Sequence, residues 1–402
     1  VTLREYGNWI EMKEPLRICV ENMDSDLRGG NPITLVFNAD LKEEPRPLDK
    51  VDKLRVFAVP NVASNIIVKR YFCPIASYMY LCPGYSEQFQ GMNVSDRDAH
   101  DMTMHVLRYG DRLVEGDYKK YDTMLSKQMI LAAGGVFATV AGWIGYSKEE
   151  VRAVELIMVS IANAYWNYNG TLVQFNGYNP SGIWITILIA GTCNCLLKRI
   201  VYCSLYESRG LPLPGPFREH VSTMTVGDDS LDGVSTDNLL YSFSNIRDEF
   251  LKFGITFTGS DKDGHTPDFV SLSDACFCKR SFRFDNRLAK YVMCLDLKSI
   301  MRSLHIMHRS DEVEDSILLG NCTNALLELA RHDKLVYDKY APVIWEVMRE
   351  IDIDAYCPVY EYSYDKMWEE LYSKYVSPAE WWELNPGLKP IIEATSEEER
   401  SE

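Results

Sequence analysis

Two places in the chain hold carboxylates of the type and spacing that metal-assisted phosphoryl chemistry needs. Asp117 stands at the end of a strand-like stretch in Leu113-Val-Glu-Gly-Asp-Tyr-Lys-Lys-Tyr-Asp122, and Asp228 and Asp229 follow Gly227 at a hairpin tip. Adjacent carboxylates repel and are costly to bury without a cation, so a turn that displays both suits a divalent metal. With Asp117 beside them, three carboxylates can hold two hard cations ~3.5–4 Å apart, the arrangement used for phosphoryl transfer. Alone, Gly-Asp-Asp is also ordinary turn chemistry. Its companions give it weight.

Those companions need particular elements to position them. Pro45 and Pro47 exclude a helix from residues 41–50, so the basic side chains there ride on an extended segment leading into a strand near 53–58. Residues 113–122 read as a strand, a tight turn and a helix beginning near Met124. Asn176-Gly-Tyr-Asn-Pro-Ser-Gly182 reads as a loop feeding a buried helix over 183–197, with Ser181 near its cap. Residues 221–234 read as two strands joined at 227–229. A helix near 244–253, a strand at 255–258, a hairpin over 276–284 and a helical region from about 299 follow, ending in an acidic tail.

Taken in order, Asp117-x4-Asp122, Ser181-Gly182-x3-Thr186, Gly227-Asp228-Asp229 and Phe277-x-Lys279-Arg280 resemble the motif series of viral RNA-dependent RNA polymerases, nearest the picornavirus-like order. Lys42, Arg46, Lys50, Lys53 and Arg55 resemble that family's basic fingers motif, and Ser260-Asp-Lys262 its lysine-bearing palm motif. The resemblance spans residues 42 to about 284, and the ordered set is specific although each piece is weak.

The resemblance implies roles. Asp117 and Asp228 bind two Mg²⁺ ions, with Mn²⁺ an alternative, Asp229 close by and the Tyr118 carbonyl an extra ligand. Lys42, Lys53 and Arg55 line the nucleotide inlet, with Arg55 gripping the triphosphate, while Arg46, Lys50, Gly182, Lys279 and Arg280 meet RNA. Lys262 is the general acid for pyrophosphate. Asp122, Ser181 and Thr186 recognise the nucleotide, but the Asn expected four residues after Thr186 is Ala190. Asn194 lies about 6 Å further along the helix and is no obvious substitute. Either another group such as Asn176 or Asn179 completes the network, or ribose discrimination is weaker or arranged differently. The glycines around the 177–182 loop suit a moving part.

The fold implied is α+β: a right hand with an antiparallel palm sheet, discontinuous fingers and a helical thumb. Residues 1–75 and 125–175 are expected as fingers, 76–124 and 176–297 as palm, and 298–402 as thumb and tail. Expected partners are an RNA template and primer, NTPs, a protein primer and other viral replication proteins, in host-cell cytoplasm at membrane-associated complexes. The family places a longer stretch ahead of its basic motif than the 41 residues before Lys42, so an excised part of a polyprotein is expected. The rivals are a reverse transcriptase-like palm polymerase and a catalytically inactive membrane-associated scaffold. The second is suggested by the uncharged stretches 129–146 and 156–197, although their glycines, asparagines and Pro180 fit buried soluble elements better than a membrane span.

Composition frames the rest. The 402 residues, 46% hydrophobic and 25% charged, are those of a globular chain of about two to four domains. Eleven cysteines without a CxxC pair exclude a disulfide scaffold, and Cys193/Cys195 and Cys276/Cys278 are expected as buried thiols. The formal charge of -16, from 42 Lys+Arg against 58 Asp+Glu, speaks in bulk against nucleic acid. The expectation is therefore an acidic exterior around a locally electropositive channel.

Overall fold

A four-stranded antiparallel sheet carries both acidic motifs, in the order Phe257–Thr258, Leu113–Tyr118, Asp229–Val234, Val221–Val226. Gly116 pairs with Ser230. One residue beyond that pair on each strand, Asp117 and Asp229 come to the same end of the sheet. Val226 pairs with Asp229, leaving a two-residue turn of Gly227 and Asp228. Gly227 has φ 66°, which a side chain resists, and glycine at the first turn position is what a type II′ hairpin requires.

The computed structural model describes the chain apart from residues 1–2, 7–8, 43, 45–54, 95–96, 260–265, 308–312, 358–362 and 373–402. It divides into two units, Val1–Met92 with Asp101–Phe282, and Asn93–His100 with Arg283–Glu402. The five-part division read from the sequence is finer than these two units.

In the first unit the helix Thr186–Glu207 packs on the strand Val221–Val226 and on the helices Lys127–Trp143 and Phe243–Lys252. It is apolar nearly all round because it is a core helix. Among the described residues it alone is long and apolar enough to cross a membrane, and 67% of that stretch is buried. Of its buried polar side chains, Asn194 and Lys198 find partners around the sheet, and the Thr192 hydroxyl accepts from the Gln88 amide.

A second sheet orders Val56–Pro60, Val36–Leu41, Tyr165–Tyr168 and Thr171–Gln174. Its central pair is parallel and the outer pairs antiparallel. The N-terminal part and the 125–175 segment thus share one sheet, with the Phe37 and Trp166 rings 6.2 Å apart at its core. The helix Lys148–Ala162 starts with a reciprocal capping box between Ser147 and Glu150.

The second unit builds its own core from Leu326, Leu329, Tyr337, Met348 and Met367. These come from the helices Glu314–Arg331, Lys334–Glu350 and Tyr364–Tyr372, beside the strand Lys290–Leu295. This unit carries the helical character expected after residue 299.

Local expectations land within a few residues, with instructive shifts. The helix expected near Met124 is split: Tyr121–Met124 is one turn, and Ser126 caps a new helix, Lys127–Trp143, by accepting from the Met129 N–H. Ser181 is not the cap of the long helix, whose first turn is preceded by Ile185 with no side-chain cap. Cys193 and Cys195 are buried, but Cys276 is exposed and Cys278 half-buried, since the second pair lies on a hairpin and not inside a core helix. In that hairpin Cys278 and Lys279 make the two-residue turn between Cys276–Phe277 and Arg280–Asp285, both with positive φ.

Candidate active site

Asp117, Asp122, Ser181 and Asp228 all line one cavity of about 1500 Å³, with Lys42, Arg55 and Tyr121. The sheet supplies Asp117 and Asp228, and the turn after Leu113–Tyr118 supplies Asp122. Arg55 and Lys42 arrive on neighbouring ends of paired strands, where the Lys42 N–H donates to the Arg55 carbonyl at 2.8 Å. Five separated stretches of sequence therefore converge on one space, in the first unit alone.

The loop at 177–182 is pinned to that space by close contact. A Cβ on Gly182 would lie 1.9 Å from the Ala58 carbonyl oxygen, so only glycine lets the loop lie against the strand after Arg55. The Ser181 hydroxyl accepts from the Ala58 N–H at 3.3 Å. Thr186 does not line the cavity. Its hydroxyl is directed at the carbonyls of Pro180 and Ile183, both at 2.6 Å, and so ties the loop to the helix start.

Asp122 is held by Asn179. The Asn179 side chain, fully buried, donates to Asp122 Oδ1 at 3.0 Å and to the Thr186 carbonyl at 3.1 Å. Burial raises the Asp122 carboxyl above its ordinary value and the Asp228 charge adds to that, while the Asn179 bond, Arg55 and Lys42 oppose them. Ala190, where an asparagine was expected, is buried instead beneath the Gly227 turn, and its carbonyl accepts from the Tyr121 hydroxyl at 2.8 Å.

The three carboxylates feel one another. Asp229 is raised above the ordinary carboxylate value first by desolvation and then by the charges of Asp228 and Asp117, against a hydrogen bond from Cys278 and the charge of Lys279. Mutual repulsion of this kind is what a hard cation relieves. Among the described residues no three His, Cys, Asp or Glu side chains close to ligand spacing. The open set suits Mg²⁺, which keeps several waters and binds through one or two carboxylates together with substrate phosphates.

Among the described residues the cavity's charged lining is Lys42, Arg55 and Lys120 with Asp40, Asp117, Asp122 and Asp228, while Lys53 and Lys262, on which the expected electropositive channel also draws, lie outside the described residues. Arg55 and Lys42 also share Glu44, at 3.6 and 4.0 Å. Lys120 and Tyr178 line the space without having been singled out from the sequence; Lys120 sits in the left-handed region, φ 57°, at the turn between Asp117 and Asp122. Lys279 reaches Asp229 electrostatically, and Arg280 opens the following strand. Arg46, Lys50, Lys53 and Lys262 lie outside the described residues. Asn176 is not among the cavity's lining residues.

Comparison with known proteins bears on the family and the fold. The family model for viral RNA-dependent RNA polymerase matches residues 2–348. The replicase polyprotein of Cricket paralysis virus is 25% identical over 347 residues, covering 83% of this chain and 20% of that polyprotein. The genome polyprotein of Human hepatitis A virus genotype IIIB is 29% identical over 263 residues, covering 64% and 11%. This chain thus spans a fifth or less of the length of these relatives. Among solved structures, the Sicinivirus 3Dpol RNA-dependent RNA polymerase superposes with a TM-score of 0.72 at 17% identity, covering 87% of this chain and 69% of that one, a likeness of fold. With the match running through most of the chain and through every described motif, the chain belongs to the viral RNA-dependent RNA polymerase family.

Proposed function

We propose that this chain copies RNA, joining NTPs to an RNA 3′-OH in the replication of a positive-strand viral genome. The observation that carries the reading is the convergence of Asp117 and Asp228 at one end of the sheet, at the wall of a cavity that also holds Asp122, Ser181 and Arg55. Asp117 and Asp228, with Asp229 and the Tyr118 carbonyl beside them, would hold two divalent cations. Bound there, the cations supply the positive charge that acidifies the 3′-hydroxyl and neutralises pyrophosphate.

The chain's own groups do the rest. Arg55 and Lys42 stand on the cavity wall opposite in sign to a triphosphate, and the Arg55 guanidinium matches phosphate oxygens two at a time. Asp122, oriented by Asn179, presents an acceptor for a ribose hydroxyl, and Ser181 flanks it. Lys279 and Arg280, on the neighbouring hairpin, give the primer strand sequence-independent phosphate contacts. Lys262 keeps the general-acid role that the family resemblance suggests. The partners are then RNA, NTPs, a protein primer and other replication proteins, in host cytoplasm at membrane-associated complexes.

The test is a primed RNA template offered NTPs or dNTPs with Mg²⁺. RNA-templated growth with NTPs supports the reading. Growth with dNTPs alone supports the reverse-transcriptase rival, and sedimentation with membranes without any synthesis supports the scaffold.

A further inference from the structure

Asn194 is fully buried on the long helix, and its amide is saturated by two separate segments. Its Nδ2 donates to the carbonyls of Gly227, at 3.2 Å, and Asp228, at 3.0 Å. Its Oδ1 accepts from the Tyr118 hydroxyl at 3.1 Å. Only this orientation of the amide satisfies two carbonyls and a hydroxyl together. Tyr118 is the chain neighbour of Asp117, and its ring is locked among Tyr121, Phe250 and Phe257.

Gly227 and Asp228 are the two loop residues of the hairpin, so their carbonyls lie outside the strand ladder. Strand pairing sets the base of the turn and leaves its pitch to other contacts. One helical turn after Asn194, Lys198 reaches the strand that follows the turn, pairing with Asp232 at 2.5 Å. The helix thus grips the hairpin at two successive points, and the upper one is at the carboxylate-bearing turn itself.

We infer that Asn194 is a positioning residue, a clamp that sets the separation of Asp117 and Asp228 by bonding the backbone of one and the neighbour of the other. It touches neither carboxylate. The inference rests on the polymerase reading for its consequence in catalysis, but the clamp also governs metal binding, which can be read without synthesis.

The experiment compares wild type, Asn194→Leu, Tyr118→Phe and the double variant. Mn²⁺ binding is followed by electron paramagnetic resonance without RNA or nucleotide, alongside kcat, the Mg²⁺ concentration giving half-maximal incorporation, RNA affinity and thermal unfolding. Asn194→Leu is expected to lower kcat about tenfold or more, to weaken Mn²⁺ binding and raise the Mg²⁺ requirement severalfold, and to leave RNA affinity close to wild type. The double variant is expected to be no worse than Asn194→Leu, because both act through one amide. Unchanged Mn²⁺ binding in Asn194→Leu, or additive losses in the double variant, overturns the inference. Should Asn194→Leu not fold, Tyr118→Phe decides alone: weaker Mn²⁺ binding supports the clamp and unchanged binding overturns it. A wild type that binds Mn²⁺ yet incorporates no nucleotide overturns the polymerase reading, while the binding comparison still judges the clamp.

Discussion

Asn179 bonds Asp122 twice, through its side-chain amide to Oδ1 at 3.0 Å and through its backbone N–H to the carbonyl at 2.9 Å. The side-chain bond fixes which oxygen of Asp122 faces the cavity. It does so from the loop, while position 190 on the helix holds only an alanine.

Replacing Asn179 with Leu removes the side-chain bond and keeps the backbone one. The preference for NTP over dNTP, as a ratio of kcat/KM values, is expected to fall about tenfold, since a lost bond to a charged group is worth ~1.5–3 kcal/mol. A ratio equal to wild type would remove Asn179 from ribose selection.

Gly182→Ala tests the close approach to Ala58. The added methyl meets a backbone oxygen at 1.9 Å, so the loop must lift, carrying Ser181 off the Ala58 N–H. Stability is expected to drop by ~1–3 kcal/mol, with a raised KM for NTP. Chemical denaturation and steady-state kinetics report the two effects, and a variant matching wild type in both contradicts the packing described.

Lys198→Met probes the lower grip of the helix on the hairpin. Lys198 and Asp232 are almost wholly buried, and Asp232 Oδ2 also accepts from Tyr241 at 3.0 Å. Removing the lysine strands a buried carboxylate, with an expected loss of ~3–5 kcal/mol. Adding Asp232→Leu is expected to return much of it. Equilibrium unfolding of the single and double variants decides, and a tolerated single change refutes the pairing.

The hairpin at 227–229 and the strand Leu113–Tyr118 were legible because their signals are local: short strand-like runs broken by Gly-Asp turn chemistry. What lay beyond reach depends on how the long helix is rotated over the sheet. Asn194 is set aside by its spacing as no substitute for the missing ribose contact, because sequence spacing does not show that this face meets the Gly227 turn. Thr186 read as a nucleotide contact, whereas its hydroxyl closes the Pro180 loop. The mixed charge of the cavity was equally hidden, since Asp40 and Lys120 reach it only once strands and turn are assembled.

Acid sensitivity follows from two half-buried histidines, one in each unit. His105 Nε2 lies 3.0 Å from the Thr223 carbonyl and His332 Nε2 2.8 Å from that of Leu295. Desolvation holds both below the ordinary value of 6.5, only partly offset by those bonds. The folded state therefore prefers them neutral, and the stability this gives is complete above about 6.5 and lost as pH falls from there through the lowered values. Thermal midpoints are expected to decline on acidification from neutral pH, with a smaller decline in His105→Gln, which keeps a donor for Thr223 and does not titrate. An unaltered pH profile in that variant contradicts the assignment.

The most direct test of the central claim is Mg²⁺-dependent primer extension on an RNA template by wild type and by Asp228→Asn, which preserves the shape of the turn and removes its charge. The account predicts extension by the wild type that is abolished by chelation and reduced to background in Asp228→Asn, with RNA still bound. Extension by Asp228→Asn at the wild-type rate would contradict it.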